Sequence, residues 1–423
     1  ADYYPPILTG MRGSHEGSYE VAHALAWRGE KPAEYEALDE VYDLVVVGGG
    51  ISGLAAAYLY RKKMGPAAKI LILDNHDDFG GHAKRNEFHI DGKMLLSFGG
   101  SVNLEQGAMS PASYQLLEEI GVEFKTLQDA GAQDYGLSNA AAPYGLYLNA
   151  NHYGKDQLVA GPWAEAFSGG GEYPKMLQSL NLPAEDRGKL IALIAGKEDL
   201  LAGMSLSEKD HYLRTTSYAS FLRDRVKLSP AACKLTEPWA SAMFGVGVES
   251  VSVNEGLYLG GPGLYSLGLP DSMTQSEDEV DPDAYRNPMF PDGNASVARL
   301  FVRKLIPEVA PGDSMQDVVS ARFDYSQLDR GGASVRLRLN STVVNVANQG
   351  EGVNVKYVSG GTAYEVKGKH CIFAGYNGMI PHLCPELPAA QKEHLAYGVK
   401  VPFVWASALL KTGAAVREGG ASM

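Results

Sequence analysis

Short apolar runs alternate with glycine-rich breaks along the chain, and the first such boundary predicts the most. Tyr42-Asp43-Leu44-Val45-Val46-Val47 is apolar at consecutive positions near its end, as expected of a parallel strand buried on both faces. It runs into Gly48-Gly49-Gly50-Ile51-Ser52-Gly53, and Leu54-Ala55-Ala56-Ala57-Tyr58-Leu59 continues as the small-residue face of a packed helix. Ile70-Leu71-Ile72-Leu73 repeats the strand pattern and ends at Asp74. Strand, glycine turn, helix, strand and terminal acid, in that order, predict a dinucleotide-binding unit. Gly48 permits the tight turn, Gly50 admits a pyrophosphate close to the backbone, and Gly53 lets the helix sit on the strand. The helix N-terminus, with Ile51 and Ser52, faces the phosphates with unpaired N–H groups and a positive dipole end. The Asp74 carboxylate can accept both ribose hydroxyls.

Later in the chain, residues 290–299 open a helix that runs through Phe301 and Leu305. Val335 to Val344 alternates like one strand. Val353–Val358 and Tyr364–Val366 predict a hairpin around Ser359-Gly360-Gly361-Thr362, and His370 to Gly375 reads as another buried strand. Between the two groups of strands, Ser113 to Ile120 is a short amphipathic helix ended by Gly121, and Tyr218 to Asp224 is a second. The expected layout is an arm at 1–40, a dinucleotide-binding domain in two parts at 41–103 and 290–380, and an α+β substrate domain at 104–289. Residues 381–423 begin a further substrate-domain segment.

A length of 423 residues exceeds one ordinary domain and can bury a large core. No apolar run reaches membrane-spanning length. The net charge of −13 disfavours nucleic acid or anionic lipid as a partner and suits a cationic ligand. Leu235 to Tyr285 holds no lysine, arginine or histidine, while acids recur, Glu277, Glu279 and Asp281 among them. Such bunching is relieved by a polycationic substrate, or is a solvated loop. The three cysteines form no disulfide framework and no Cys-x-x-Cys-His haem-attachment motif.

The stretch Asp74-Asn75-His76-Asp77-Asp78-Phe79-Gly80-Gly81-His82-Ala83-Lys84-Arg85 resembles the extension of flavin amine oxidases, in which an acid is followed by Gly-Gly and basic residues. The resemblance implies FAD. Its loop would fold over the pyrophosphate, with Gly80, Gly81 and His82 close by and Lys84 or Arg85 meeting negative charge. Phe98-Gly99-Gly100-Ser101 is similar to the family's second glycine pair beside the isoalloxazine ring, where a Cβ would push the flavin away. By the same resemblance the main chain of Val343 holds the adenine, and Asn75 and Ala374 join the cofactor-binding set. Lys400, after the proline-bounded Cys384-Pro385-Glu386-Leu387-Pro388, matches the lysine that holds a water against flavin N5; it falls in the apolar run Tyr397 to Val401, read as a strand.

The arm from Leu8 to Ala24, residues 290–299 and residues 383–388 together resemble bacterial spermidine dehydrogenases over nearly the whole chain. That likeness implies hydride transfer from a polyamine C–N carbon to FAD, an imine hydrolysed to an amine and an aminoaldehyde, and an external electron acceptor. It also implies a periplasmic location and, in some members, a haem. His15 is a candidate axial ligand and Cys233 a candidate thioether, each equally a structural residue; Met11 and His23 are further donors in the arm. The family places a last flavin-contacting strand beyond Lys400, so further C-terminal polypeptide is expected. A desaturase acting on an apolar substrate, or a flavin- or haem-binding electron carrier, would share the glycine motifs.

Overall fold

A computed structural model of the chain describes residues 3–106, 109–130, 145–160, 173–258, 260–270 and 288–412. The chain forms two compact units. The first comprises residues 1–131, 281–400 and 404–409, and the second residues 132–280, 401–403 and 410–423. The helix Pro111–Ile120, capped by Ser110 and ended by left-handed Gly121, packs in the first unit although it lies within the sequence-predicted insert.

The first unit begins with helix α1 (Glu20–Arg28), strand β1 (Glu36–Val47), helix α2 (Ile51–Met64) and strand β2 (Ile70–Leu73). Strands β3 (Arg85–Ile90) and β4 (Lys93–Phe98) make a separate hairpin, and β5 (Gly145–Leu148) and β6 (Gln157–Ala160) make one in the second unit. Strands β7 (Val335–Arg338), β8 (Ser341–Gln349), β9 (Gly352–Ser359) and β10 (Thr362–Phe373) return to the first unit. The main sheet has the order β7-β2-β1-β10-β9-β8. Strand β1 runs parallel to β2 and β10, and β2 to β7, while β10, β9 and β8 form an antiparallel meander.

Alternation along these strands divides the core. Leu44, Val46, Ile70, Ile72, Val335 and Leu337 face Leu54 and Ala57 of α2 and Val297, Leu300 and Phe301 of the helix Ala295–Leu305. Val45, Val47, Leu71 and Leu73 face Val343, Val355, Tyr357 and Val366 of the meander. Consecutive apolar residues are needed because both faces are covered, and each fully buried aliphatic side chain contributes about 1.5–3 kcal/mol. At β7 the second face turns polar. Asp329 bridges Arg336 and Arg338 at 2.6 and 2.7 Å, Glu40 pairs with both, and Arg338 donates to the Tyr357 hydroxyl.

Three strand expectations change. Residues 335–344 form two strands that run in the same direction at opposite edges of the sheet, because Asn340 takes a left-handed conformation (φ 51°) and breaks the run between β7 and β8. Asparagine tolerates that region better than most residues. The segments 364–366 and 370–373 belong to one strand, β10, which pairs with β9 over Thr362–Gly368 and ends at Phe373 beside β1, short of Gly375. The run Tyr397–Val401 is not a strand: the helix Ala389–Tyr397 ends there, and residues 398–410 carry no regular structure, with Lys400 exposed.

In the second unit, helices surround a core that includes Leu190, Leu213, Phe221, Leu222, Val253 and Leu267. The predicted helix at Tyr218 is present as Tyr218–Ser220 followed by a wider turn over Phe221–Arg225. Tyr218 is buried and donates its hydroxyl to the Pro262 carbonyl at 2.7 Å. Gly256 lies against its ring, where a Cβ would come within 2.5 Å of it. Gly256→Ala should therefore lower stability by about 2–3 kcal/mol and Tyr218→Phe by about 1 kcal/mol, read as shifts in urea midpoint.

Candidate dinucleotide-binding site

The carboxyl ends of β1, β2 and β10 meet at one turn. The Gly48 N–H donates to the Leu73 carbonyl, and the Ala374 N–H to the Val47 carbonyl, both at 2.8 Å. Gly48 has φ 109°, and a Cβ there would lie 2.7 Å from the Ala374 oxygen. A Cβ on Gly53 would overlap the Gly48 carbonyl. Both glycines are required by the fold itself. Gly50 differs: its φ is −71°, and its Cβ would meet only Gly81, at 3.7 Å, an ordinary contact. Among the described residues nothing requires glycine there, whereas a ligand lying against the main chain would.

Helix α2 starts at this turn with Gly50 as its N-cap and no side chain capping it. The amides of its first turn have no intrahelical acceptor, and the dipole is positive there. Asp74 is 5% exposed and braces the turn. Its Oδ2 accepts from the Gly49 N–H at 2.6 Å and its Oδ1 from the His76 N–H at 2.8 Å. A carboxylate has about four acceptor positions, so two remain for hydroxyls.

The segment after Asp74 crosses back over the turn. The Gly80 N–H donates to the Gly49 carbonyl at 2.9 Å, and a Cβ on Gly81 would lie 3.2 Å from the Gly50 Cα. The second glycine pair is anchored to the same loop, Gly99 N–H to Lys84 O at 2.9 Å and Gly100 N–H to His82 O at 3.0 Å. Ser101 is held by Asn294, whose main-chain N–H and side-chain amide reach its carbonyl and hydroxyl. These predicted residues are therefore brought together, along with Ile51, Ser52, Asn75 and Ala374.

Others are placed differently. The buried Arg85 guanidinium pairs with Glu87 at 2.7 Å and Asp292 at 3.0 Å, and buried Lys84 donates to the Asp78 carbonyl at 3.1 Å. Arg85 is committed to two carboxylates, whereas Lys84 keeps its charge unpaired among the described residues and spends one N–H on that carbonyl. Burial pushes the Asp292 carboxyl up, against the nearby Arg85 charge. Val343 sits on β8 where the pairing with β9 slips by one residue, a bulge that interrupts the ladder at residue 344. His15 has both ring nitrogens engaged: Nδ1 donates to Glu16 O at 2.9 Å, and Nε2 accepts the Asp77 N–H at 3.1 Å. Cys233 is half-buried against the core of the second unit, its thiol pushed up by burial and then by Asp186. Glu277, Glu279 and Asp281 lie outside the described residues. A separate cavity of about 520 Å³ lies along β7, walled by Tyr3, Tyr325, Tyr357 and Tyr364 with Glu40 and Arg338.

Two features were not anticipated. Residues 3–18 bind the segment after Asp74, and the only sequence signals were the Tyr3-Tyr4-Pro5-Pro6 cluster and a lone Arg12. His76, half-buried beside Asp74, has a buried Nδ1 with no hydrogen-bond partner among the described residues.

Residues 46–120 match the family profile of the NAD(P)-binding Rossmann-like domain. A coproporphyrinogen III oxidase from Propionibacterium freudenreichii subsp. freudenreichii is 32% identical over 99 residues, 22% of this chain and 16% of that protein. Among solved structures, putrescine oxidase bound to putrescine aligns with a TM-score of 0.40 at 17% identity. A protein described as a protoporphyrinogen oxidase from Exiguobacterium sp. 255-15 aligns at 0.42 and 14%. Each alignment covers 85% of this chain and 64% of the other. Scores this low transfer no activity. The Rossmann-like α/β fold is carried by the sheet, the glycine turn and the profile match.

Gly50→Ala should leave the unfolding midpoint unchanged while lowering dinucleotide affinity at least about tenfold by titration calorimetry, and Gly53→Ala should unfold the domain. Burial, then the Lys84 charge, holds the His76 imidazole below its ordinary 6.5, against Asp74 and Asp77. The neutral ring is the folded form. Its contribution to stability is complete above about pH 6.5 and is lost as pH falls toward the lowered folded value. His76→Gln should flatten that part of a stability-versus-pH curve.

Proposed function

We propose that the chain holds FAD at the Gly48–Gly53 turn and belongs to an enzyme that oxidises polyamines, with spermidine as substrate. The observation that carries the cofactor reading is the Gly50 cradle: bare helix amides, an acid on the neighbouring strand, and a second glycine loop lying across the turn. A pyrophosphate would be held by the amides of Ile51, Ser52 and Gly53, and ribose hydroxyls by Asp74. The β8 bulge leaves main-chain groups near Val343 for an adenine.

Bound there, FAD supplies a hydride acceptor for the carbon next to a polyamine nitrogen, leaving an imine that water converts to an amine and an aminoaldehyde. The chain's own work is to hold the cofactor and to receive the amine uncharged, since the nitrogen lone pair assists the loss of hydride. The net charge of −13 favours approach of a cation. Lys400 is assigned to orient a water near the reacting carbon on the family resemblance, and electrons then pass to an external acceptor. The periplasm is the compartment this reading implies. A haem does not fit His15 as arranged, because neither ring nitrogen is free to ligate iron. The coproporphyrinogen III oxidase likeness over 99 residues favours a second reading, a porphyrinogen as substrate.

The purified protein should show a flavin absorption spectrum that bleaches on anaerobic addition of spermidine. Bleaching by coproporphyrinogen instead would favour the second reading, and a colourless protein would refute both. Lys400→Met should slow the bleaching at least about tenfold while FAD stays bound; unchanged kinetics would remove Lys400 from the reaction.

A further inference from the structure

Residues 3–18 run ahead of β1 and across the short segment that links β2 to Gly80 and Gly81. Asn75, Asp77 and Asp78 of that segment are tied to them. The Tyr3 hydroxyl donates to the Asp77 carbonyl at 3.1 Å, and the Asn75 side-chain amide to the Ser18 carbonyl at 2.6 Å. His15 Nε2 accepts the Asp77 N–H at 3.1 Å. Arg12 reaches the carboxylates of Asp77 and Asp78 at 3.4 and 3.3 Å, and it also bonds the Pro5 carbonyl, closing the arm on itself. The other side of the segment is held by the β7–β8 turn, where Asn340 N–H donates to His76 O at 2.8 Å.

The arm is anchored near its ends, where Tyr4 packs in the core, bonds Glu87 and lies beneath Arg322. Tyr4, Pro5, Pro6 and Ser18 are buried, but residues 7–11 are exposed throughout. A segment fixed by a few polar contacts between two anchors opens at low cost, independently of global unfolding. The segment it covers is the one whose far end seats Gly80 on Gly49 and Gly81 on Gly50.

We propose that this arm is a working part of the dinucleotide site: a strap, with Arg12 and His15 as positioning residues, that keeps Gly80 and Gly81 on the glycine turn and sets how fast a bound dinucleotide leaves. This rests on the reading that the Gly48–Gly53 turn holds FAD. Of the two cations the sequence offered for the phosphate loop, Arg85 is committed to two carboxylates, and buried Lys84 donates to the Asp78 carbonyl within the loop itself. The arm adds closure from outside that loop.

The test uses the full chain loaded with FAD. Release is followed by the rise of free-flavin fluorescence after dilution, for wild type, Arg12→Ala, His15→Ala and Arg12→Lys. Amide hydrogen exchange over residues 75–81 is measured on the same proteins without FAD. The strap predicts release at least about tenfold faster in both alanine variants, partial rescue by lysine, and faster exchange at 75–81 with an unchanged global unfolding midpoint. Release within about twofold of wild type, or faster release only alongside a lowered midpoint, would overturn it. If the wild-type chain takes up no FAD, the cofactor reading fails. The exchange data then still decide whether the arm holds the segment, and unchanged exchange at 75–81 would overturn that too.

Discussion

The first unit depends on one close approach. Five backbone segments converge where β1 ends: the Gly48 turn, the Gly53 start of α2, the Ala374 end of β10, the Asp74 end of β2 and the returning Gly80 loop. There is no room for a side chain at Gly48 or Gly53, so packing fixes these glycines before any ligand is considered. The same closeness aims the bare amides of α2 outward and puts the Asp74 carboxylate under the Gly49 N–H. Fold and binding chemistry are thus specified by the same atoms, except at Gly50.

This explains what the sequence made legible. The turn, the two strands and Asp74 lie within about thirty residues of one another, and their order follows from local sterics and dipoles. The helix end at Gly121 was readable for the same reason, while its start lies at Pro111 behind the Ser110 cap, ahead of the Ser113 expected. Where partners are distant in sequence, the pattern misled. Arg85 looks like a phosphate ligand until Asp292 arrives from 207 positions away. The strand expected over residues 335–344 alternates correctly throughout, and only the left-handed backbone of Asn340 shows that one strand ends there and another begins at the far edge of the sheet. Lys400 follows an apolar alternation that no ladder takes up.

Ionisable groups in the first unit are held in two ways. Arg85 is shared between Glu87 and Asp292, and half-buried Asp329 between two arginines, whereas buried Arg299 and Lys84 donate to main-chain carbonyls. Burial pushes Glu87 up, but its bond from Tyr4 and the Arg85 charge outweigh this and hold the carboxyl below its usual range. Breaking one partner of such a set leaves an uncompensated charge inside, which costs more than the pair contributes. Tyr4, buried beneath Arg322 and bonded to Glu87, extends that sharing to the very start of the chain.

Strand β10 pairs with β1 along almost the whole length of both, yet Val47 and its neighbour Phe373 are separated by most of the polypeptide. At ribosomal rates of up to about 20 residues per second, the first strand waits on the order of 15 s for that neighbour to be made. Throughout that interval an apolar edge lies open to any other extended chain. Production of this protein is thus a race between its own translation and aggregation, and slower elongation between residues 48 and 373 favours the wrong winner.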